Sequence, residues 1–118
     1  MFEGKYYNLE YLEEISAGDK EFILDMLNEF ISNAPNIIIE VEELAKNNKW
    51  YDLYTIFHRF IPAYDYIGAS NIMSEVREIE AISKASCGVE KVPALLEKVK
   101  LYTHNAIEEL SNDFFKNK

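Results

Sequence analysis

His58 is the residue in this 118-residue chain whose type and position are best suited to chemistry. At about 100° per residue, an apolar stripe through Leu53 and Phe57 marks one face of a predicted helix, and His58 lies about 140° from Leu53. Histidine has an ordinary pKa of about 6.5, so an exposed imidazole is mostly free base near neutral pH. A lone histidine on a helix is also a common surface residue, so the surrounding pattern has to decide between the two interpretations.

The side chains predicted to surround His58 are apolar and aromatic, whereas a solvent-facing helix surface usually carries lysine and glutamate. Such a patch is typical of a surface that docks a partner protein. Two plainer interpretations remain. Pro62 could only kink the helix, or the tyrosines could pack beneath the N-terminal helix and so be hidden from a partner. The neighbours within one or two turns of His58 are Tyr51, Tyr54, Ile61, Pro62 and Asp65.

Amphipathic helices must position this histidine. The apolar spacing predicts one long helix from about Asp19 to Lys46 that continues through Pro35; two separate helices are the alternative. The helix of His58 follows, then an apolar stripe over 69–82, then a helix from Pro93 towards residue 114. A short helix capped by Asn8 precedes them. We expect an all-α fold, an up-down antiparallel four-helix bundle with a short N-terminal covering helix, forming a single domain over residues 1–118.

The composition disfavours several classes of partner. Lys and Arg number 12 against 21 Asp and Glu, a formal net charge of −9, which disfavours nucleic acid and anionic membranes. The N-terminus has no signal-peptide pattern, no apolar run approaches a membrane span, and Cys87 has no internal disulfide partner. No nucleotide-binding, cofactor or metal-ligand motif is present. We therefore expect a cytoplasmic monomer without a cofactor or metal.

The segment 57–69, with the sequence FHRFIPAYDYIGA, resembles the phosphoacceptor helix of histidine-containing phosphotransfer (HPt) domains. That family's pattern is His, any residue, an apolar residue, Lys, Gly, and a further Gly ten residues after the His; His58, Phe60 and Gly68 match it. Segments 22–27, 34–35 and 48–50 are similar in order and spacing to the family's second helix, turn and start of the phosphoacceptor helix. The resemblance covers roughly residues 9–110.

Two positions depart from the family pattern. Ile61 stands where the family has the lysine that lies beside the phosphoryl group, and Pro62 stands where it has glycine. Arg59 is a nearby cation, but its direction on the helix is about 100° from that of His58.

The resemblance implies that His58 accepts a phosphoryl group from a receiver-domain aspartate and passes it on in a two-component phosphorelay. The protein would then be a phosphoryl carrier rather than an autonomous enzyme, with a response-regulator receiver domain or a hybrid histidine kinase as partner and the Mg²⁺ supplied by that partner. One further hypothesis is that Tyr54 or Asp65 orients the imidazole by a hydrogen bond. The expected receiver-binding residues are Tyr51, Tyr54, Arg59, Ile61, Pro62 and Asp65.

Two other functions stay open. A docking module that binds receivers or kinases without relaying phosphate is favoured by Ile61. A di-iron helical bundle needs Glu-x-x-His pairs, but the residues three before His58 and His104 are Thr55 and Leu101. Arg77 is expected to form surface ion pairs, and a role for it as the phosphate-binding cation is left open.

Overall fold

The computed structural model describes residues 3–116, which are all-α as predicted. No β-strand occurs in this part of the chain; one isolated bridge joins Glu3 and Asn8. Short 3₁₀ turns precede α4 and α5, and a π-helical turn, Ser111–Phe115, extends α5. The helices are α1 (Glu10–Ile15), α2 (Lys20–Lys46), α3 (Trp50–Tyr66), α4 (Met73–Ala85) and α5 (Val92–Leu110).

The prediction of one long helix through Pro35 is confirmed by α2. The Asp19 side chain accepts a hydrogen bond from the backbone N–H of Phe22 at 3.2 Å, which caps the first turn. The proline ring is exposed, whereas Ala34 and Ile38 on either side of it are buried. Burial of this face stabilises the helix even though the proline removes a backbone donor.

All five helices contribute to one core. Helix α2 packs against α3 and α5, and α4 packs against the same two helices. Tyr64 of α3 is fully buried, and its hydroxyl shares a 2.9 Å hydrogen bond with Thr103 Oγ1 of α5. Burial raises the pKa of Tyr64 to about 12. None of the helices within residues 3–116 combines the length and the apolar character needed to cross a bilayer.

The N-terminal segment packs against the end of α3. The backbone N–H of Asn8 donates to the carbonyl of Ile67 at 2.8 Å, and Leu9 and Leu12 are fully buried. Gly68 has a positive φ of 65°, and a Cβ there would lie 1.9 Å from the Asn8 carbonyl oxygen. Only glycine permits this approach of two backbones, so Gly68 explains how the chain leaves α3 while the N-terminal segment lies against it.

Candidate functional site

His58 lies on the surface of α3, as predicted, with 59% of its side chain exposed. Its Nδ1 forms a short hydrogen bond with Oε2 of Glu80 on the neighbouring helix α4. Helix α4 packs against α3, so the two backbones hold these side chains opposite each other. The ring is therefore accessible and is also held in place from one side.

Glu80 is ionised in this arrangement. Its side chain is only 15% exposed, and its second oxygen accepts a hydrogen bond from Arg77 Nη1 at 3.4 Å. Burial alone raises the pKa of the Glu80 carboxyl group, but the hydrogen bonds from His58 and Arg77 outweigh burial and lower the pKa below its ordinary value of 4.5.

The ionised carboxylate determines which imidazole nitrogen carries the proton. A carboxylate only accepts hydrogen bonds, so Nδ1 of His58 must be the donor. In a neutral imidazole the other nitrogen, Nε2, then has the free lone pair. The Tyr54 ring stacks on the His58 ring, with centroids 5.3 Å apart and an interplanar angle of 25°. The site thus presents an exposed, oriented nitrogen nucleophile.

Arg59, Arg77 and Lys84 differ in their position relative to His58 and in the groups that they contact. Arg59 lines surface grooves with Ile37 and Glu40 of α2, on the side of α3 away from Glu80. Arg77 is paired with Glu80. The Lys84 ammonium lies 5.8 Å from the centroid of the Tyr54 ring, which itself stacks on His58. Two of the three cations therefore come from α4 and share the face that meets His58.

The predicted outer face is only partly correct. Tyr51 is 75% exposed, and Pro62 and Asp65 are exposed as predicted. The prediction that Ile61 belongs to this exposed face is wrong, because it is 2% exposed and lies in the core. Leu53, Phe57 and Ile61 form a row at successive intervals of four, and such a row packs as one ridge against neighbouring helices.

The hypothesis that Tyr54 or Asp65 orients the imidazole by a hydrogen bond is wrong about the partner. Tyr54 contacts the ring by stacking, and Glu80 is the residue that accepts the hydrogen bond. Sequence reasoning missed Glu80, although a signal for it exists: Ile72, Val76 and Glu80 follow one another at intervals of four. A carboxylate thus interrupts the apolar row of α4.

The second histidine, His104, does not share this setting. It is exposed on α5 and lines a shallow apolar groove with Ile39 and Leu101. Within residues 3–116, no group of three or more His, Cys, Asp or Glu side chains is placed to hold a metal ion. His104 is therefore a matched internal comparison for His58.

Searches against protein-family models, curated proteins and solved structures find no match to this chain.

Proposed function

We propose that this protein is a histidine phosphotransfer intermediate of a two-component phosphorelay, with His58 as phosphoacceptor. The Nε2 lone pair attacks the phosphorus of an aspartyl phosphate on a receiver domain. The P–Nε2 bond forms, the P–O bond breaks, and the aspartate leaves as a carboxylate. Attack by a second receiver's aspartate reverses these steps and restores the neutral imidazole. The observation that carries the proposal is the exposed imidazole whose Nδ1–H is held by an ionised carboxylate.

The role of Glu80 follows from the charge of the product. When Nε2 bears phosphorus and Nδ1 keeps its proton, the ring is formally positive. A carboxylate that accepts the Nδ1–H hydrogen bond stabilises that cation, and charge-assisted hydrogen bonds are stronger than neutral ones. The same contact keeps the reactive tautomer populated before transfer. Glu80 therefore acts as a positioning residue in both directions of the relay.

The proposed fold suits a carrier of this kind. We infer that α2, α3, α4 and α5 form an up-down antiparallel bundle, with α1 covering one end. The short connections and the pairwise packing of α2 with α3, α3 with α4, and α4 with α5 support this arrangement. A rigid helix needs only to present His58, because the receiver supplies the Mg²⁺ and most of the charge stabilisation. A response-regulator receiver or a hybrid kinase in the cytoplasm is the proposed partner.

The docking surface surrounds the imidazole. Tyr51 is the most exposed aromatic residue of α3, and its ring lies 6.5 Å from that of Tyr54. Pro62 and Asp65 lie on the same helix beyond His58, so two tyrosines precede the imidazole and a proline and a carboxylate follow it. Transient signalling encounters bury modest areas, so this short stretch of α3 can supply much of the contact.

The alternative function is a docking module of the same fold that binds receivers or kinases without carrying phosphate. One observation favours it: position 61, where HPt domains have a lysine, is a buried isoleucine, so α3 provides no cation at that position. The two functions share a partner surface and differ only in whether His58 is phosphorylated.

The test is phosphoryl transfer from receiver domains of the same organism, loaded with acetyl phosphate and Mg²⁺. We expect an acid-labile, base-stable label on the wild type and on His104→Gln, and none on His58→Gln. Native mass spectrometry in the same samples reports binding. Binding without label would establish the docking module, and label that persists in His58→Gln would exclude His58 as acceptor.

A further inference from the structure

The phosphoryl group on His58 would carry close to two negative charges on a protein whose net charge is already −9. HPt domains balance this charge with a lysine on the phosphoacceptor helix, at the position of Ile61. We propose that Lys84, on the neighbouring helix α4, is the phosphate-binding cation of this site. This inference rests on the phosphotransfer function proposed above and names the residue that binds the transferred group.

The other cations around α3 are unsuited to the role. Arg59 lines the grooves between α2 and α3, whereas the His58 ring meets Glu80 on the α4 side. Arg77 is held by Glu80, and breaking that pair would remove one of the two hydrogen bonds that keep the carboxylate ionised. Arg77 cannot pair with the phosphate without leaving Glu80, and Arg59 lies on the α2 side of α3.

In the part of the chain that the structure describes, Lys84 has no such ion pair to break. It is exposed, and among residues 3–116 no carboxylate oxygen lies within 4.0 Å of its ammonium group. Its ammonium lies 5.8 Å from the centroid of Tyr54, and Tyr54 stacks on His58 at 5.3 Å. Lys84 also lies one helical turn beyond Glu80, so both residues project from the same face of α4. The ammonium is thus kept beside the stack of rings that contains the phosphoacceptor.

The contact with Tyr54 is a resting position that phosphorylation would replace. An exposed cation–π contact is weak, whereas a charge-assisted bond to a doubly charged phosphate is strong. Lysine is a compact charge on a flexible four-carbon chain, so its ammonium can leave the Tyr54 ring without a backbone movement. The Lys84 ammonium can therefore bind the phosphoryl group from α4, and no exposed lysine is needed at position 61.

The test uses potassium phosphoramidate, so that no receiver domain is needed. Nε2 of His58 attacks phosphorus, the P–Nε2 bond forms, and the P–N bond of the reagent breaks with release of ammonia. A His104→Gln background limits the phosphohistidine signal to His58. The pH titration of its ³¹P resonance then reports the ionisation of the phosphohistidine, in its ring and its phosphoryl group, which a nearby cation displaces to lower pH.

We expect Lys84→Met to move that titration upwards by about half a pH unit, the size of an exposed ion pair. Lys84→Arg should titrate at the same pH as the His104→Gln protein, because arginine keeps the positive charge. The matched control is Lys98→Met, an exposed lysine on α5, which should change nothing. In about 1 M salt the difference should shrink, because exposed charges are then screened. A purely structural role would not produce this charge-dependent shift.

The two proposals fail in different ways. If His58 is phosphorylated but Lys84→Met titrates like the parent and like Lys98→Met, the role of Lys84 is overturned and His58 remains the acceptor. If phosphoramidate leaves no phosphohistidine signal that depends on His58, the phosphoacceptor itself is overturned. Circular dichroism melting of each variant confirms that the compared proteins are folded.

Discussion

Nδ1 of His58 on α3 donates a hydrogen bond to the Glu80 carboxylate on α4, across 22 positions of sequence. This contact joins an exposed ring to a mostly buried carboxylate whose other oxygen is held by Arg77. When the imidazole is neutral, this contact leaves Nε2 as the unprotonated nitrogen, which is the form that the proposed attack on phosphorus requires.

Replacing Glu80 by Gln should impair phosphorylation of His58 without unfolding the protein. The amide has a similar shape but no charge, so its oxygen accepts the Nδ1–H hydrogen bond more weakly and does not balance the positive ring of the product. We expect the initial rate of labelling to fall by about tenfold, a typical effect for a residue that orients a reactive histidine. The measurement is the time course of acid-labile label. Glu78→Gln, an exposed neighbour on α4, is the control, and equal rates for the two variants would contradict the role of Glu80.

The same carboxylate should make stability depend on pH. The pKa of Glu80 is lowered on folding from 4.5, so the unfolded chain binds the proton more readily as pH falls. The contribution of Glu80 is therefore complete above that value and is lost as pH falls below it. Urea unfolding should show Glu80→Gln less stable than wild type by about 1 kcal/mol at neutral pH, with the difference shrinking as pH falls below 4.5. A difference that grows in acid would contradict this sign.

Gly68 should be intolerant of any side chain. A Cβ there would lie 1.9 Å from the carbonyl oxygen of Asn8, at a φ of +65°. We expect Gly68→Ala to cost more than about 2 kcal/mol in the free energy of unfolding, because the backbone of the N-terminal segment must move away. Gly18→Ala is the matched control: φ is +78°, yet the nearest atom to its Cβ is a Glu13 carboxylate oxygen at 3.5 Å. It should cost only about 1 kcal/mol, and equal losses would show that the contact with Asn8 is unimportant.

A lysine at position 61, where HPt domains have one, should destabilise the protein. Ile61 is 2% exposed, so the ammonium of Ile61→Lys would enter the core or force α3 to move. We expect a loss of about 3 kcal/mol in chemical denaturation and no gain in phosphorylation. Asp65→Lys, at an exposed position one turn further along α3, should change stability by less than about 0.5 kcal/mol. Unchanged stability in Ile61→Lys would mean that this position reaches solvent.

Tyr51 should contribute to partner binding but not to folding. Its side chain is 75% exposed and lies two turns before His58 on α3. Tyr51→Ala should leave the melting temperature unchanged and weaken binding of a receiver domain by about fivefold, measured by titration calorimetry. Leu101→Ala removes a similarly exposed residue, 63%, from α5 and should leave binding unchanged. Equal affinities for the two variants would place the receiver elsewhere.

Much of the architecture could be predicted from local patterns. Apolar spacing predicted α2 across Pro35, because burial along one face outweighs the loss of a single backbone hydrogen bond. The start of this helix near Asp19 was also predicted correctly, and the hydrogen bond from the Phe22 backbone N–H to the Asp19 side chain lies within one turn. The exposure of His58 followed from its angle relative to the Leu53–Phe57 stripe. Each of these features depends on residues that lie close together in the chain.

The sequence by itself determined that the chain is helical and that His58 stands on an outer face, because a helix repeats regularly along its own residues. Only the tertiary structure decided that Glu80 meets the ring, that Lys84 lies beside Tyr54 and that Ile61 is buried. These relationships depend on how α4 is rotated and translated against α3, which is determined by the packing of the whole core. Local spacing places a residue on one side of its own helix, whereas its partner on a second helix is chosen by that packing.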